Sequence, residues 1–206
     1  MTDRVFREFL EHGLAAGLQL AAASDIVTVV PVGPPPAQRF IAEFRCRGIA
    51  RHGEQIIPWH RFAVGIAFPD DHLRRAASAA MINLLAPEGC WHPNCRYPVI
   101  CPGMMPAGSG LVDVLFQVYE ILSFQRYSFS DPLNAEAARW ARSHMHLFPT
   151  DPRPLRWRAE RAADDDGSSR RSPSNTTRDA PPQPGPCTRP GGDPETPLPG
   201  EEATER

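Results

Sequence analysis

Residues 87–103 read PEGCWHPNCRYPVICPG, and this irregular stretch separates a β-rich part of the sequence from a helical part. Before it lie short runs of alternating or β-branched residues, and after it lie apolar residues with helical spacing. Proline, glycine and cysteine dominate the stretch itself, so no regular element is predicted there. Long irregular segments in compact domains tend to carry function, and we therefore predict the functional site here.

Four strands are predicted before this loop, and they cover residues 26–32, 39–49, 60–68 and 79–85. In the second of them the apolar residues alternate, which places them on one face of a strand; they are Phe40, Ala42, Phe44 and Cys46. Because the strands run together in the chain and the helices lie at its ends, the pattern predicts an α+β fold with an antiparallel sheet.

Helices are predicted on both sides of the strands. Residues 3–23 carry an apolar stripe, and residues 111–122 repeat apolar side chains at the spacing of one helix face. A last helix is predicted to begin at Asp131-Pro132, because aspartate is a preferred N-cap and proline is favoured at the first helical position. The predicted order is therefore an N-terminal helix, a four-stranded antiparallel meander, the long loop and C-terminal helices.

The composition of the 206-residue chain changes near residue 150. Residues 159–206 are rich in proline and charged residues and contain no aromatic residue. Such a stretch cannot bury enough apolar surface to offset the entropy lost on ordering. We therefore predict one catalytic domain over residues 1–158 and a disordered, Pro-rich charged tail over residues 159–206.

The charge balance argues against a nucleic-acid partner, since 22 basic and 24 acidic residues give a net charge of -2. No apolar run is long enough to span a membrane, and the N-terminus lacks the apolar core of a signal peptide. These features predict a cytoplasmic protein. Five cysteines without a secretory signal are expected to serve as thiols or metal ligands, and a disulfide framework is not expected.

A set of spaced residues marks the loop and the segment after it. His92-Pro93-Asn94 is followed by Cys101 in an Ile-Cys context and, further along, by Asp131-Pro132-Leu133. Together with the element order, these residues resemble the active-site region of ubiquitin-conjugating enzymes. Residues 110–140 look like the bacterial branch of that family, and the resemblance covers roughly residues 3–150.

This resemblance implies a ubiquitin-conjugating-like fold and an acyltransferase that works through a cysteine thioester. The implied partners are an activating enzyme, a ubiquitin-like protein and a protein target, with no bound cofactor at this step. Some bacterial systems of this kind act in antiphage defence, which the resemblance extends to this chain as an expectation.

The resemblance also implies roles for four residues. Cys101 would be the nucleophile, because a thiolate attacks acyl groups readily even as a minority species. Asn94 would stabilise the oxyanion, since an amide N–H donor there lowers the barrier. Asp131 would position or deprotonate the incoming lysine, although it also looks like a helix N-cap. His92 is expected to hydrogen-bond the loop, with a general-base role as the alternative.

Three alternatives remain open from the sequence. Cys90, His92, Cys95 and Cys101 lie within twelve residues and could form a structural zinc site, although their spacing matches no standard finger. The chain could instead be a non-catalytic variant of the fold that binds a ubiquitin-like protein. The third alternative is an ordinary thiol hydrolase, but no familiar histidine context surrounds the candidate nucleophile.

The sequence contains no lysine, so all 22 basic residues are arginine. A GC-rich genome would explain this bias without any functional cause. The alternative hypothesis is that a protein carrying an activated acyl group avoids modifying itself when it has no lysine side chain.

Overall fold

The computed structural model describes residues 3–75 and 81–155. Its three α-helices are α1 (Arg4–Ala23), α2 (Leu111–Leu122) and α3 (Ala135–Ser143), followed by a short 3-10 helix (Met145–Leu147). The strands are β1 (Val27–Val32), β2 (Arg39–Phe44), β3 (Gly48–His52), β4 (Gln55–Trp59), β5 (Phe62–Ala67), β6 (Ile82–Ala86), β7 (Cys95–Arg96) and β8 (Val99–Ile100). The predicted α+β class with an N-terminal helix and an antiparallel sheet is confirmed. The predicted tail lies outside the described residues, so its disorder stays a prediction.

A six-stranded antiparallel sheet forms the centre of the fold, with the strand order β1-β2-β5-β6-β8-β7. Phe44 pairs with Val27 on one side and with Phe62 on the other, which fixes the register of the first three strands. The four predicted strands overlap β1, β2, β5 and β6. The sheet is wider than predicted because the loop adds the hairpin β7–β8 at its edge.

The predicted strand over residues 39–49 was too long, since β2 ends at Phe44 and β3 begins at Gly48. At Gly48 the chain passes very close to the core: a Cβ there would lie 2.5 Å from the Phe62 ring and 2.6 Å from the Leu122 carbonyl oxygen. The strand β3 then pairs with β4 in a separate hairpin. Its two-residue turn starts at Gly53, whose φ of +60° suits glycine.

The main core lies between the sheet and the helices α1 and α2. Helix α1 contacts β1 and α2, and it buries Phe6, Leu10 and Leu20. Almost all apolar residues of α2 are buried, as its helical spacing predicted; they are Leu111, Val114, Leu115, Val118, Tyr119, Ile121 and Leu122. Leu155 also packs into this core, which extends the folded unit at least to that residue. None of the helices in the described ranges is long and apolar enough to cross a membrane.

A second, smaller apolar cluster joins the β3–β4 hairpin, the loop and α3. Its buried members are Ile49, Trp91, Phe124 and Ala137. Each member comes from a different part of the chain. The cluster therefore packs the loop against β3 and α3, which lie far apart in the sequence. The packing of this cluster positions the candidate site.

The predicted start of the last helix was wrong. Helix α3 begins at Ala135, and its N-cap is Asn134, whose side-chain oxygen accepts a hydrogen bond from the Ala137 amide at 3.0 Å. The Asn134 amide donates to the Pro93 carbonyl oxygen at 2.9 Å. Because this tertiary contact holds the chain at Asn134, the helix starts four residues after Asp131, which is therefore not its cap.

We expect Asn134→Ala to lower the free energy of unfolding by about 1 kcal/mol, because the first turn of α3 loses its cap. Asn134→Ser is the matched control, since serine supplies a capping oxygen and keeps most of this stability. Urea unfolding followed by circular dichroism measures both. Equal stability of the alanine variant and the native chain would contradict the assignment of Asn134 as the cap.

Candidate functional site

The loop that carries the candidate residues runs alongside β3. The Trp91 amide donates to the Ile49 carbonyl oxygen at 2.9 Å, and the Arg51 amide donates to the Gly89 carbonyl oxygen at 2.6 Å. A Cβ on Gly89 would lie 2.1 Å from the Arg51 carbonyl oxygen, so only glycine fits this approach. The loop is thus held by backbone hydrogen bonds to β3, which belongs to a hairpin that the sequence did not predict.

Asn94 and Cys101 are tied together by two hydrogen bonds. The Cys101 amide donates to the Asn94 carbonyl oxygen at 2.9 Å, and the Asn94 Nδ2 donates to the Cys101 carbonyl oxygen at 3.1 Å. The hairpin β7–β8 lies between these residues in the chain and lets it turn back. The structure therefore brings together the asparagine and the cysteine that the sequence pattern singled out.

The same asparagine also reaches the segment that follows α2. Its Oδ1 accepts a hydrogen bond from the Ser128 amide at 2.9 Å. Asn94 is only 1% exposed, so water does not compete for the hydrogen bonds of its side-chain amide. One buried side chain thus links the backbone of Cys101 to the backbone of Ser128.

Asp131 lies within a segment that is attached to the loop at both ends. Ser128 is bound to the side chain of Asn94, and the Asn134 amide is bound to the carbonyl oxygen of Pro93. The Asp131 amide donates to the Ser128 hydroxyl at 3.4 Å, and the Asp131 residue is partly exposed. These hydrogen bonds therefore hold the segment that contains Asp131 against His92-Pro93-Asn94.

An arginine from α3 fastens the same segment from the other side. The Arg142 Nη2 donates to the Phe129 carbonyl oxygen at 2.6 Å, and its guanidinium lies 5.5 Å from the centre of the Phe129 ring. Both contacts join the last turn of α3 to the residues just before Asp131. The position of that carboxylate thus depends on the packing of α3 as well as on the loop.

His92 is buried at 1% exposure and holds the loop in place. Its Nδ1 accepts a hydrogen bond from the Asn94 amide at 3.0 Å, which assigns the ring proton to Nε2. Nε2 is buried and has no hydrogen-bond partner among the described residues. Burial lowers the pKa of His92 to about 3, so the ring is neutral near neutral pH.

The ring of His92 packs against Phe124 in an edge-to-face contact with 4.4 Å between ring centres. Phe124 lies just after the C-cap of α2 and adopts the left-handed conformation, at a φ of +57°. Its amide donates to the Ile121 carbonyl oxygen, and the Gln125 amide donates to that of Glu120, as in a glycine-terminated helix. A bulky residue in this conformation is uncommon, and the contact with His92 accounts for it.

The stability of the folded chain is expected to fall between pH 6 and pH 4.5 because of His92. Its folded pKa of about 3 lies below the unfolded value of 6.5, so acid protonates the unfolded chain first. The expected loss is about 2 kcal/mol over this range. Urea unfolding at several pH values measures it, with His92→Gln as the control that lacks this titration. An equally steep pH dependence in both proteins would contradict the assignment.

The remaining cysteines of this region do not form a metal-binding geometry. Cys90 and Cys95 are free, buried thiols, and a hydrogen bond between their side chains, followed by burial, raises the pKa of Cys95. Within residues 3–75 and 81–155, no group of three or more histidine, cysteine, aspartate or glutamate side chains could hold a metal ion. Since His92 uses Nδ1 for the Asn94 amide, the geometry gives the zinc alternative no support.

The sequence did not indicate Ser128 and Asn134, whose hydrogen bonds attach the Asp131 segment to the loop. Both residues bond to the loop through their backbone amides. Nearly every residue type has a backbone amide, so the sequence does not show which residues make such contacts. The capping oxygen of Asn134 did leave a signal, because asparagine is a favoured N-cap. Asp131 followed by Pro132 matched the pattern of a helix N-cap equally well, so the sequence predicted the cap at Asp131 and not at Asn134.

No protein-family model matches the sequence, and no curated protein matches it. Among solved structures, the chain is similar to the E2 domain of a ubiquitin conjugating enzyme from Toxoplasma gondii, with 18% identity, coverage of 70% of this chain and 91% of that chain, and a TM-score of 0.47. At this identity and TM-score, the likeness does not establish a shared fold or activity.

Proposed function

We propose that this chain is a ubiquitin-conjugating acyltransferase that carries a ubiquitin-like protein as a thioester on Cys101. The observation that supports this most is the pair of hydrogen bonds between Asn94 and Cys101, together with the bond from Asn94 to Ser128. The proposed partners are an activating enzyme, which uses ATP, a ubiquitin-like protein, and a target protein that supplies an amine. The proposed assignment to a bacterial antiphage system rests on the sequence resemblance alone, and the proposed cytoplasmic location rests on the sequence features given above.

In the first proposed step, the Cys101 thiolate attacks the carbonyl carbon of a thioester on the activating enzyme. The new C–S bond forms, the old one breaks, and the cysteine of the activating enzyme leaves as a thiolate. In the structure Cys101 is disulfide-bonded, in contrast to the thiol or metal ligand expected from the sequence, so a reducing agent must first release its thiol. Only 2% of Cys101 is exposed. Loading therefore requires the residues around this sulfur to open and admit the incoming carbonyl group.

In the second proposed step, a target amine attacks the thioester carbonyl carbon. The C–N bond forms, the C–S bond to Cys101 breaks, Cys101 leaves as a thiolate, and the amine nitrogen releases a proton to the solvent. Asn94 Nδ2 has two hydrogens, and the bond to the Cys101 carbonyl oxygen uses one of them. The second is the proposed donor to the oxyanion. His92 does not serve as the base in this scheme, since its Nδ1 is already bonded and its pKa is about 3. Asp131 is the group proposed to orient the amine.

A loading assay tests the proposal directly. The fully reduced chain is mixed with ATP, an activating enzyme and a ubiquitin-like protein encoded beside its gene, or with a chemically prepared thioester of that protein. We expect an adduct that reducing agents release and that Cys101→Ala abolishes. Cys46→Ala is the matched control, because Cys46 lies between β2 and β3, outside the 87–103 loop, and this variant should still load.

The use of a prepared thioester separates failure of this chain from failure of the activating enzyme. An adduct that persists in Cys101→Ala would assign the nucleophile to another cysteine. Tight binding of the ubiquitin-like protein with no adduct at all would favour the non-catalytic alternative. Cys101→Ser provides a further check, since it should form an oxyester that survives reducing agents.

A further inference from the structure

A cavity of about 280 Å³ lies at the edge of the sheet, where the end of β2 meets the last described residues. Its walls come from two short segments, residues 45–47 and 151–153, together with His60. None of these residues belongs to the proposed acyl-transfer site. The cavity therefore needs an explanation of its own.

Among the described residues, Asp151 supplies the one carboxylate of the cavity wall, and its oxygens already accept four hydrogen bonds. Oδ2 of Asp151 accepts from the Arg47 amide at 3.0 Å and from Arg153 Nη2 at 2.8 Å, and Oδ1 accepts from the Arg153 amide and Nε at 3.1 and 3.0 Å. The Arg153 guanidinium also bonds Asp25 at 3.1 Å. The charges of Asp151 and Arg153 thus compensate each other within the wall.

Two further arginines, Arg45 and Arg47, also line the same cavity. Both residues are exposed, and within residues 3–75 and 81–155 neither side chain takes part in an ion pair. Burial raises the pKa of Cys46, which lies between them, to about 12, so its thiol is neutral. Among the described residues, the cavity is thus lined by two arginines without an ion pair, and the one carboxylate is already occupied.

We propose that this cavity binds a phosphate group, held by Arg45 and Arg47. Guanidinium groups donate two parallel hydrogen bonds to phosphate oxygens, which favours arginine at such sites. Pockets for drug-sized ligands usually measure about 300–1,000 Å³. The cavity of about 280 Å³ is large enough for a phosphoryl group with attached atoms. The source is a small phosphate ester or a phosphorylated side chain of a partner protein.

Titration calorimetry on the full, reduced chain tests this proposal. The probes are inorganic phosphate, O-phosphoserine, and a phosphoserine peptide paired with its unphosphorylated form. We expect saturable binding of the phosphate-containing probes, weakened about tenfold or more in the Arg45→Gln, Arg47→Gln double variant, because two charged hydrogen-bond donors are lost. The Arg4→Gln, Arg7→Gln double variant on α1 is matched in charge and should bind as the native chain does.

The probes also distinguish the two sources. Equal affinity for O-phosphoserine and the phosphopeptide indicates a small phosphate ester, whereas tighter binding of the phosphopeptide indicates a protein partner. Absence of saturable binding by every phosphate probe, or equal weakening in both double variants, would overturn the proposal. The assay uses no acyl transfer, so its outcome is independent of whether Cys101 forms a thioester.

Discussion

Asn94→Ala is expected to slow transfer from the loaded chain to an amine about 100- to 1,000-fold, while loading of Cys101 changes far less. The reason is that the variant removes the proposed donor to the oxyanion, and loss of one such donor in other enzymes has an effect of this size. Single-turnover discharge of the preloaded chain into free lysine measures the transfer step separately from loading.

Asn94 also binds Ser128, so a second variant must separate chemistry from structure. Asn94→Asp keeps an acceptor for the Ser128 amide but has no N–H to offer the oxyanion. We expect both variants to discharge slowly. Native discharge by Asn94→Asp would show that the bond to Ser128 alone matters, and the oxyanion role would then be wrong.

Asp151→Ala is expected to lower the free energy of unfolding by about 3 kcal/mol at pH 7. The buried carboxylate accepts four hydrogen bonds from Arg47 and Arg153, and removal of one partner leaves charged and polar groups without compensation. Denaturant unfolding measures the change. Asp25→Ala is the control, since its exposed ion pair with the same arginine should contribute about 1 kcal/mol or less.

The contribution of Asp151 should also depend on pH in a defined direction. The hydrogen bonds from Arg153 lower the pKa of Asp151 from 3.8 to about 2. A lowered carboxyl pKa stabilises the folded chain above the unfolded pKa, and this stabilisation is lost as the pH falls through the folded value. The difference between the native chain and Asp151→Ala should therefore shrink between pH 4 and pH 2. A difference that is constant over this range would contradict the ionised carboxylate.

The residues 151–153 show why this part of the molecule escaped sequence reasoning. In the chain they read Asp-Pro-Arg, a combination that is common in loops. Their partners Asp25, Arg45 and Arg47 lie more than one hundred positions earlier. No local pattern connects residues so far apart, because their interaction depends on how β1, β2 and the C-terminal segment come together.

The candidate site was predicted in part, for the same physical reason. The positions of Asn94 and Cys101 could be read from a short stretch because only a tight hairpin separates them. The contacts of that stretch with Ser128 and Asn134 could not be read, since they use backbone amides from a distant segment. The start of α3 was wrong for this reason too: local preference favoured Asp131, and a tertiary hydrogen bond selected Asn134.

Elements with a local, periodic pattern could be read directly from the order of the amino acids. The apolar spacing of α2, the stripe of α1 and the alternation in β2 each reflect a face that must be buried, and burial dominates their stability. The tertiary structure alone decided where β2 gives way to β3, which residue caps α3, and which arginines surround Asp151. These features depend on close approach and hydrogen bonds between distant segments, and such contacts exist only once the chain has folded.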